Sequence, residues 1–396
     1  AERLRTATFT TFRRLLDLCE RESPDFLLLA GDVYNQEDAS VSAQLALRDG
    51  FRRLESLSIP VFLVHGNHDP LASRLRSVRW PGNVTVFGEL PDAVPVFRKG
   101  EGTPLAIIHG ASHASGRETR NLAALFRRTE ACGLHVGLLH ATPGDADGVA
   151  RYAPFSQGDL KASGMDYWAL GHIHDRREVC REPLAAYPGC TQGLHINEPG
   201  EKGCLLVTAE ARPDGGYAVR TSFRPLGPAV WKTLDMDLGG AASLDELENR
   251  LRTGLDRAAA EVWSGCEMLL VRLRLQGRTE LDGLLRKGTT CAELADRLRE
   301  DGSGVPRIWI KDIDVATRPC VERGALLERE DLLGEVFRLS EAARTASGLQ
   351  ALREGPLAPL FAHARAGKAL EPLTDEELAR LLDDAESLCL DLLEND

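Results

Sequence analysis

Two imidazoles, an amide and a carboxylate crowd around one glycine in PVFLVHGNHDPL, residues 60–71: His65, Asn67, His68 and Asp69 flank Gly66. Groups of these types ligate metals and move protons, and here they follow directly on an apolar run. Three further apolar runs end in the same way. FLLLAGDV reaches Asp32, VGLLH reaches His140, and YWALGHIH carries His172 and His174. Oxygen and imidazole donors without thiolate suit manganese, iron, zinc and similar ions. Gly31, Gly66 and Gly171 each precede a candidate ligand and permit the sharp turn that lifts it off a strand. A lone Gly-Asp is commonly a turn, and a lone strand-end histidine is commonly structural. Four such endings in one order are far more specific.

The elements that must position these residues are legible around them. Residues 6–22 place Phe9, Phe12, Leu15, Leu16 and Cys19 on one helical face, and a second helix is expected over 40–57. Between and after them lie the continuous apolar runs that carry the ligands. Helices alternating with such runs predict a parallel or mixed sheet covered on both faces. In an open α/β sheet, functional groups gather beyond the carboxyl ends of the strands. That rule brings Asp32, Asn67, His140, His172 and His174 together. ARPDGGYAV reads as a hairpin turn.

After about residue 226 the texture changes. VWKTLDMDL, EMLLVRLRLQG and RIWIKDIDVATRP alternate apolar with polar residues, as strands with one wet face do, and helices are expected at 244–261 and 291–298. From about 332 helical patterns dominate, and the last helix opens on Thr374 with Glu377 three residues on, a capping box. The organisation expected is therefore 1–226, an α/β domain; 227–331, a small α+β cap; and 332–396, a helical tail.

Composition bounds the reading. The 396 residues suffice for two or three domains, and no stretch approaches the length of apolar residues that a membrane span needs. The nine scattered cysteines form no C-x-x-C pair, which points to reduced thiols and a cytoplasmic protein without a signal peptide. The net charge is −12, but residues 321–396 hold 17 acidic against 8 basic side chains and carry most of it. The body is near neutral, so bulk charge neither excludes nor supports a DNA partner.

The ordered set GD, GNHD, LLH and GHIH resembles the calcineurin-like metallophosphoesterases. LLLAGDVY, IPVFLVHGNHDP, YAPFSQGDLKASGMDYWALGHIH and YPGCTQGLHINEPGEKGC resemble in particular the DNA-repair exonucleases of the Mre11 and SbcD kind, and among these the bacterial YhaO type. The fold this implies is a metallophosphoesterase β-sandwich with flanking helices. The chemistry it implies uses two divalent ions, Mn2+ being the expected metal, to activate water against a phosphodiester in DNA. Asp32 would bridge the ions, Asn67, His140 and His172 would complete one site, and His174 would bind the other. His68 would contact the scissile phosphate, stabilising its charge or protonating the leaving oxygen. Asp69 would fix the imidazole tautomer of a neighbour. Partners implied are DNA, an SbcC/Rad50-like ATPase and a second copy of the chain.

Two departures qualify the resemblance. The family's opening strand ends in Asp-x-His and gives two ligands to the His174 ion, yet no such pattern stands before Asp32. The expectation is an incomplete second site, through an N-terminal segment outside this chain or a metal-deficient homologue, and an opening strand that is missing. Archaeal and eukaryotic relatives place a histidine where Asn35 stands; an amide donates to phosphate but shuttles no proton. His65, His109 and His113 are read as structural, while His195 is an even choice between structure and substrate. A small-molecule phosphoesterase and a noncatalytic scaffold subunit of an ATPase complex remain the alternative functions.

Overall fold

The computed structural model describes residues 2–34, 41–72, 78–145, 150–213, 215–300, 304–320, 323–363 and 373–394. The chain forms two compact units. One comprises 1–233 with 258–271 and 302–309, the other 234–257 with 272–301 and 310–396.

Two sheets organise the first unit. A parallel sheet has the order β1-β2-β3 (Leu27–Ala30, Val61–Val64, Val84–Val86). A mixed sheet has the order β4-β5-β6-β7-β9-β8 (Asp92–Val96, Ala106–Ala111, Leu134–His140, Tyr167–Gly171, Leu184–Tyr187, Arg177–Arg181), with β5, β6, β7 and β9 parallel. Because side chains alternate along a strand, the apolar runs feed two cores at once. Leu28, Ala30, Phe62 and Val64 pack with Ile108, Val136, Leu138, Tyr167 and Ala169 between the two sheets. Leu27, Leu29 and Val61 face the other way, against Leu15, Leu16, Phe51 and Leu54. Those four stand on the helices Ala7–Glu22 and Val41–Ser56. On the far side of the mixed sheet, Leu139, Trp168, Leu170 and Tyr187 close a third core with Phe126, Phe155 and Leu160. Each fully buried large side chain contributes about 1.5–3 kcal/mol. The result is a β-sandwich with helices on its flanks, as the family resemblance implies, and its sheets are parallel and mixed, as the alternation of runs and helices predicts.

A hairpin, β10-β11 (Gly203–Ala211, Tyr217–Pro225), pairs antiparallel across the turn expected there and lays Leu205, Val207, Tyr217 and Val219 against the core between the sheets. The strands β3, β4 and β8 are only three to five residues long, too short for a pattern to be read from the chain. The three alternating segments form a sheet of order β12-β13-β14 (Ala229–Asp237, Met268–Thr279, Arg307–Pro319).

In the second unit Arg272 and Asp312 make a two-pronged ion pair at 2.6 and 3.0 Å. Three of its helices, Arg323–Leu327, Leu332–Ala343 and Asp375–Glu394, gather around Leu326, Leu333, Phe337 and Leu390. The expected capping box is present: Thr374 N donates to Glu377 Oε2 at 2.7 Å, and Glu377 N to Thr374 Oγ1 at 3.3 Å. Among the described residues no helix is long and apolar enough to cross a membrane.

Register sets the stage for the site. β1 and β2 end level, with Ala30 opposite Val64, so the turns to Asp32 and Asn67 leave the sheet together. β6 and β7 pair His140 with Gly171, which puts His172 one residue beyond His140. Gly171 is required here. A Cβ at this position would run into the backbone oxygen of Ala30 on the facing sheet.

Candidate metal centre

Asp32, Asn67, His140 and His172 meet at the strand ends, while His174 stands apart from them. Asp32, His140 and His172 each offer a ligand atom, all within 4.8 Å of one another. His140 Nε2 stands 3.0 Å from Asn67 Oδ1 and 3.2 Å from Asp32 Oδ2. Backbone strain accompanies the ligands. Asp32 (φ 51°) and His172 (φ 103°) are non-glycine residues in the left-handed half of conformational space, next to Gly31 at φ 88°. Such conformations cost on the order of 1–3 kcal/mol each and persist only where surroundings enforce them.

Each ligand imidazole has one nitrogen already committed. His140 Nδ1 donates to Ala30 O at 2.8 Å, His172 Nε2 to Ala150 O at 3.1 Å, and His174 Nδ1 to Glu198 Oε1 at 2.5 Å. A carbonyl or carboxylate oxygen can only accept, so in the neutral ring the proton sits on that nitrogen and the opposite nitrogen is left as a lone pair. This is how proteins prepare histidines for metals. At His140 the consequence is sharp: with the ring neutral, a bare Nε2 faces two oxygen acceptors inside a buried site, whereas a protonated ring gives Asp32 a hydrogen bond and a charge. In the neutral form three converging lone pairs with no hydrogen between them repel one another unless a cation lies among them. The residues therefore fit a divalent ion.

Charge follows the same design. Burial works to raise the Asp32 carboxyl, but the hydrogen bond and charge of His140, with the amide and charge of His68, hold it at about 2. Burial, then the charge of His140, pushes the His172 imidazole down to about 4, so it is neutral at pH 7.

Asp69 takes a part beyond the one expected. Its fully buried carboxylate accepts from the backbone amides of Asp32 at 3.2 Å, Val33 at 3.0 Å and Gly66 at 2.7 Å, tying the turn after β1 to the turn after β2. The imidazole paired with it is His65, outside the ligand set, 3.5 Å away. Asp69 thus braces backbone and also faces the imidazole of a neighbour. A carboxylate with four lone-pair sites satisfies turn amides that no strand can reach, which is why the backbone claims it.

The remaining candidates fall around this centre. His68 is exposed, with its backbone nitrogen held by Asp32 Oδ1 at 2.9 Å. His174 is exposed and stands outside the Asp32 group; with Cys190 and Glu198 it forms a second cluster within 4.8 Å. Glu198 raises the His174 imidazole, and in return burial of Glu198 is outweighed by His174 and the Leu194 amide, which hold its carboxyl at about 2. His195 is exposed, its Nε2 3.6 Å from Glu198 Oε1. Asn35 lies outside the described residues.

His113 underlies the site: its Nε2 bonds His140 O at 2.7 Å and its ring meets that of His140 edge-on. Tyr152 stands edge-on to His172 at 5.3 Å. His109 and His135 bond each other in the middle of the sheet. Glu198, Tyr152 and the carbonyls of Ala30 and Ala150 were not singled out from the sequence. Only Glu198 left a signal there, a lone acid in HINEPG.

Comparison with known proteins places this geometry among relatives. Residues 6–176 match the model of the calcineurin-like phosphoesterases, and residues 231–318 the middle domain of metallophosphoesterase YhaO. The uncharacterized metallophosphoesterase YhaO of Bacillus subtilis (strain 168) is 33% identical over 360 residues, 90% of this chain and 84% of that protein. The DNA double-strand break repair protein Mre11 of Aeropyrum pernix is 27% identical over 66% of this chain and 64% of its own length. The Mre11 of Sulfurisphaera tokodaii is 26% identical over 43% of each. This chain thus spans less than two thirds of either archaeal protein.

Proposed function

The chain belongs to the calcineurin-like metallophosphoesterases of the YhaO kind, a family of hydrolases, and from that premise we propose that it is a phosphodiesterase acting on DNA ends. The observation that carries the reading is the meeting of Asp32, Asn67, His140 and His172 beside the exposed His68. The DNA substrate draws its support from the relatives named as DNA double-strand break repair proteins.

Asp32, Asn67, His140 and His172 would hold one divalent ion, with Asp32 shared toward a second held by His174; Mn2+ is the proposed metal. Ions bound there supply Lewis-acid polarisation of a phosphoryl oxygen and an acidified water. The chain's own residues do the rest. Asp32 enters as a carboxylate, so no proton must leave before an ion binds. Asp69 holds both ligand-bearing turns in place through their amides. His68 reaches solvent where a phosphodiester must enter, and its imidazole stabilises charge on the phosphate or gives the leaving oxygen its proton. His195, exposed beside Glu198, is proposed to meet the substrate strand.

The proposed organisation is a nuclease domain at 1–226, a DNA-specificity cap at 227–331 and a helical region at 332–396 that docks an SbcC/Rad50-like ATPase. The working form is proposed to be a cytoplasmic homodimer.

The deciding experiment is hydrolysis of linear duplex and single-stranded DNA with Mn2+. Nucleotides should be released from ends, and chelator should abolish the reaction. Turnover of small phosphoesters with intact DNA would overturn the DNA reading in favour of a small-molecule phosphoesterase.

A further inference from the structure

The His174 side chain is 57% exposed, so packing does not orient it. Its ring is held at one point, where Nδ1 meets Glu198 Oε1 at 2.5 Å. Glu198 is thus the side chain that buttresses the ring.

The support is itself supported. Glu198 is 5% exposed, and its second oxygen accepts the Leu194 amide at 2.7 Å. The loop that carries it is pinned by buried side chains. Gln192 Nε2 donates to Ala229 O at 2.8 Å and to Gly193 O at 2.8 Å, while Trp231 Nε1 donates to Gly193 O at 2.9 Å. Gly200 N donates to Trp231 O at 2.9 Å and closes the loop. At the loop's start Gly189 sits at φ 79°, where a Cβ would stand 2.7 Å from the backbone oxygen of His174. A buried carboxylate on a rigid loop is thus delivered to an exposed ring.

We propose that Glu198 is the positioning residue of His174: it takes the Nδ1 proton and fixes the ring with Nε2 as the bare, metal-facing nitrogen. This role presupposes the metal-binding reading of His174. A carboxylate on the far nitrogen also makes the ring a better donor, and loss of such a partner typically costs about 10- to 100-fold in metal affinity.

The test uses the whole chain labelled with 15N-histidine, as wild type, Glu198→Gln and Glu198→Ala, with His174→Gln to assign the resonance. In metal-free protein, His174 of the wild type and of Glu198→Gln should show the Nδ1–H tautomer, since a glutamine oxygen still accepts. Glu198→Ala should lose that preference. Zn2+, added as a diamagnetic probe, should then shift Nε2 of His174 in the first two proteins at concentrations about 10- to 100-fold below those needed in Glu198→Ala. Thermal melting of both variants separates loss of fold from loss of orientation, and the near-isosteric Glu198→Gln carries the test if Glu198→Ala unfolds. An Nε2–H tautomer in the wild type, or Zn2+ binding at His174 unchanged in Glu198→Ala, would overturn the role of Glu198. The expected tautomer with no Zn2+ shift at His174 in the wild type would overturn the metal reading of that residue, and the positioning role with it, by a distinct signature.

Discussion

β6 carries two buried histidines with opposite fates. His135, near its start, bonds His109 of β5 through Nδ1 at 2.9 Å and gives its Nε2 proton to Ala131 O at 2.9 Å. Every polar atom in that contact has a complement, and the two rings stack with centroids 5.2 Å apart. His140, at the strand's end, donates to Ala30 O and turns its other nitrogen on Asn67 and Asp32, oxygen atoms without a proton to give. The same side chain on one strand is a finished structural contact at one end and an unfinished one at the other. Burial does not separate them, since both are buried. The separation lies in whether the last lone pair meets a donor or another lone pair, and an unfinished contact is what a cation completes.

The largest expected effect is at the unfinished end. His140→Ala should reduce Mn2+ affinity by at least about 100-fold and abolish phosphodiester hydrolysis, measured by calorimetry and by turnover of a chromogenic diester. Unchanged Mn2+ binding would erase the distinction between the two histidines.

His68→Ala comes next, and it sharpens the contrast between holding an ion and acting on substrate. Hydrolysis should fall by about 100-fold or more while Mn2+ affinity stays within about threefold. Equal loss of both would make His68 a ligand.

At the finished end, His109→Ala should leave Mn2+ binding and turnover intact and cost about 1–3 kcal/mol of stability in denaturant, because His135 keeps a buried nitrogen without its partner. A fall in metal affinity greater than the fall in stability would contradict a purely structural pair.

The smallest effect is an acid one. Burial first, then the charges of His135 and Arg128, depress the His109 imidazole to about 4, and burial lowers His135 as well. Between the ordinary histidine value near 6.5 and about 4 the unfolded chain binds the extra proton, so stability rises with pH there. The pair's share is fully present above about pH 6.5 and is lost progressively as pH falls toward 4. His109→Ala should flatten this slope by about 1 kcal/mol per pH unit or less, read from denaturant melts across the window; an equal slope in both proteins would refute it.

The contrast also explains what the sequence made legible. Strand ends in GD, GN, LLH and GHIH mark the candidate ligands because an imidazole or carboxylate that closes an apolar run has few other purposes. The two-sheet core is written in runs such as Leu27–Ala30, whose alternate residues serve two cores. Roles that depend on backbone atoms leave no such mark. Asp69 reads as a side chain for imidazoles but serves three amides, and the carbonyls of Ala30 and Ala150 have no sequence identity at all. Glu198 lies 24 residues beyond His174 in a loop. Only the pinning of that loop by Gln192 and Trp231 brings the two together, and long-range placement of this kind is a property of tertiary packing.

The buried carboxylate of Asp69 has a consequence for motion. Turn amides ordinarily exchange their hydrogens quickly, because turns open without disturbing the core. The amides of Asp32, Val33 and Gly66 all end on one carboxylate that has no contact with solvent. None of the three can be exposed without breaking the shared anchor, so the turns after β1 and β2 open as one cooperative unit. Their deuterium uptake should be slow, and it should rise in step at all three positions.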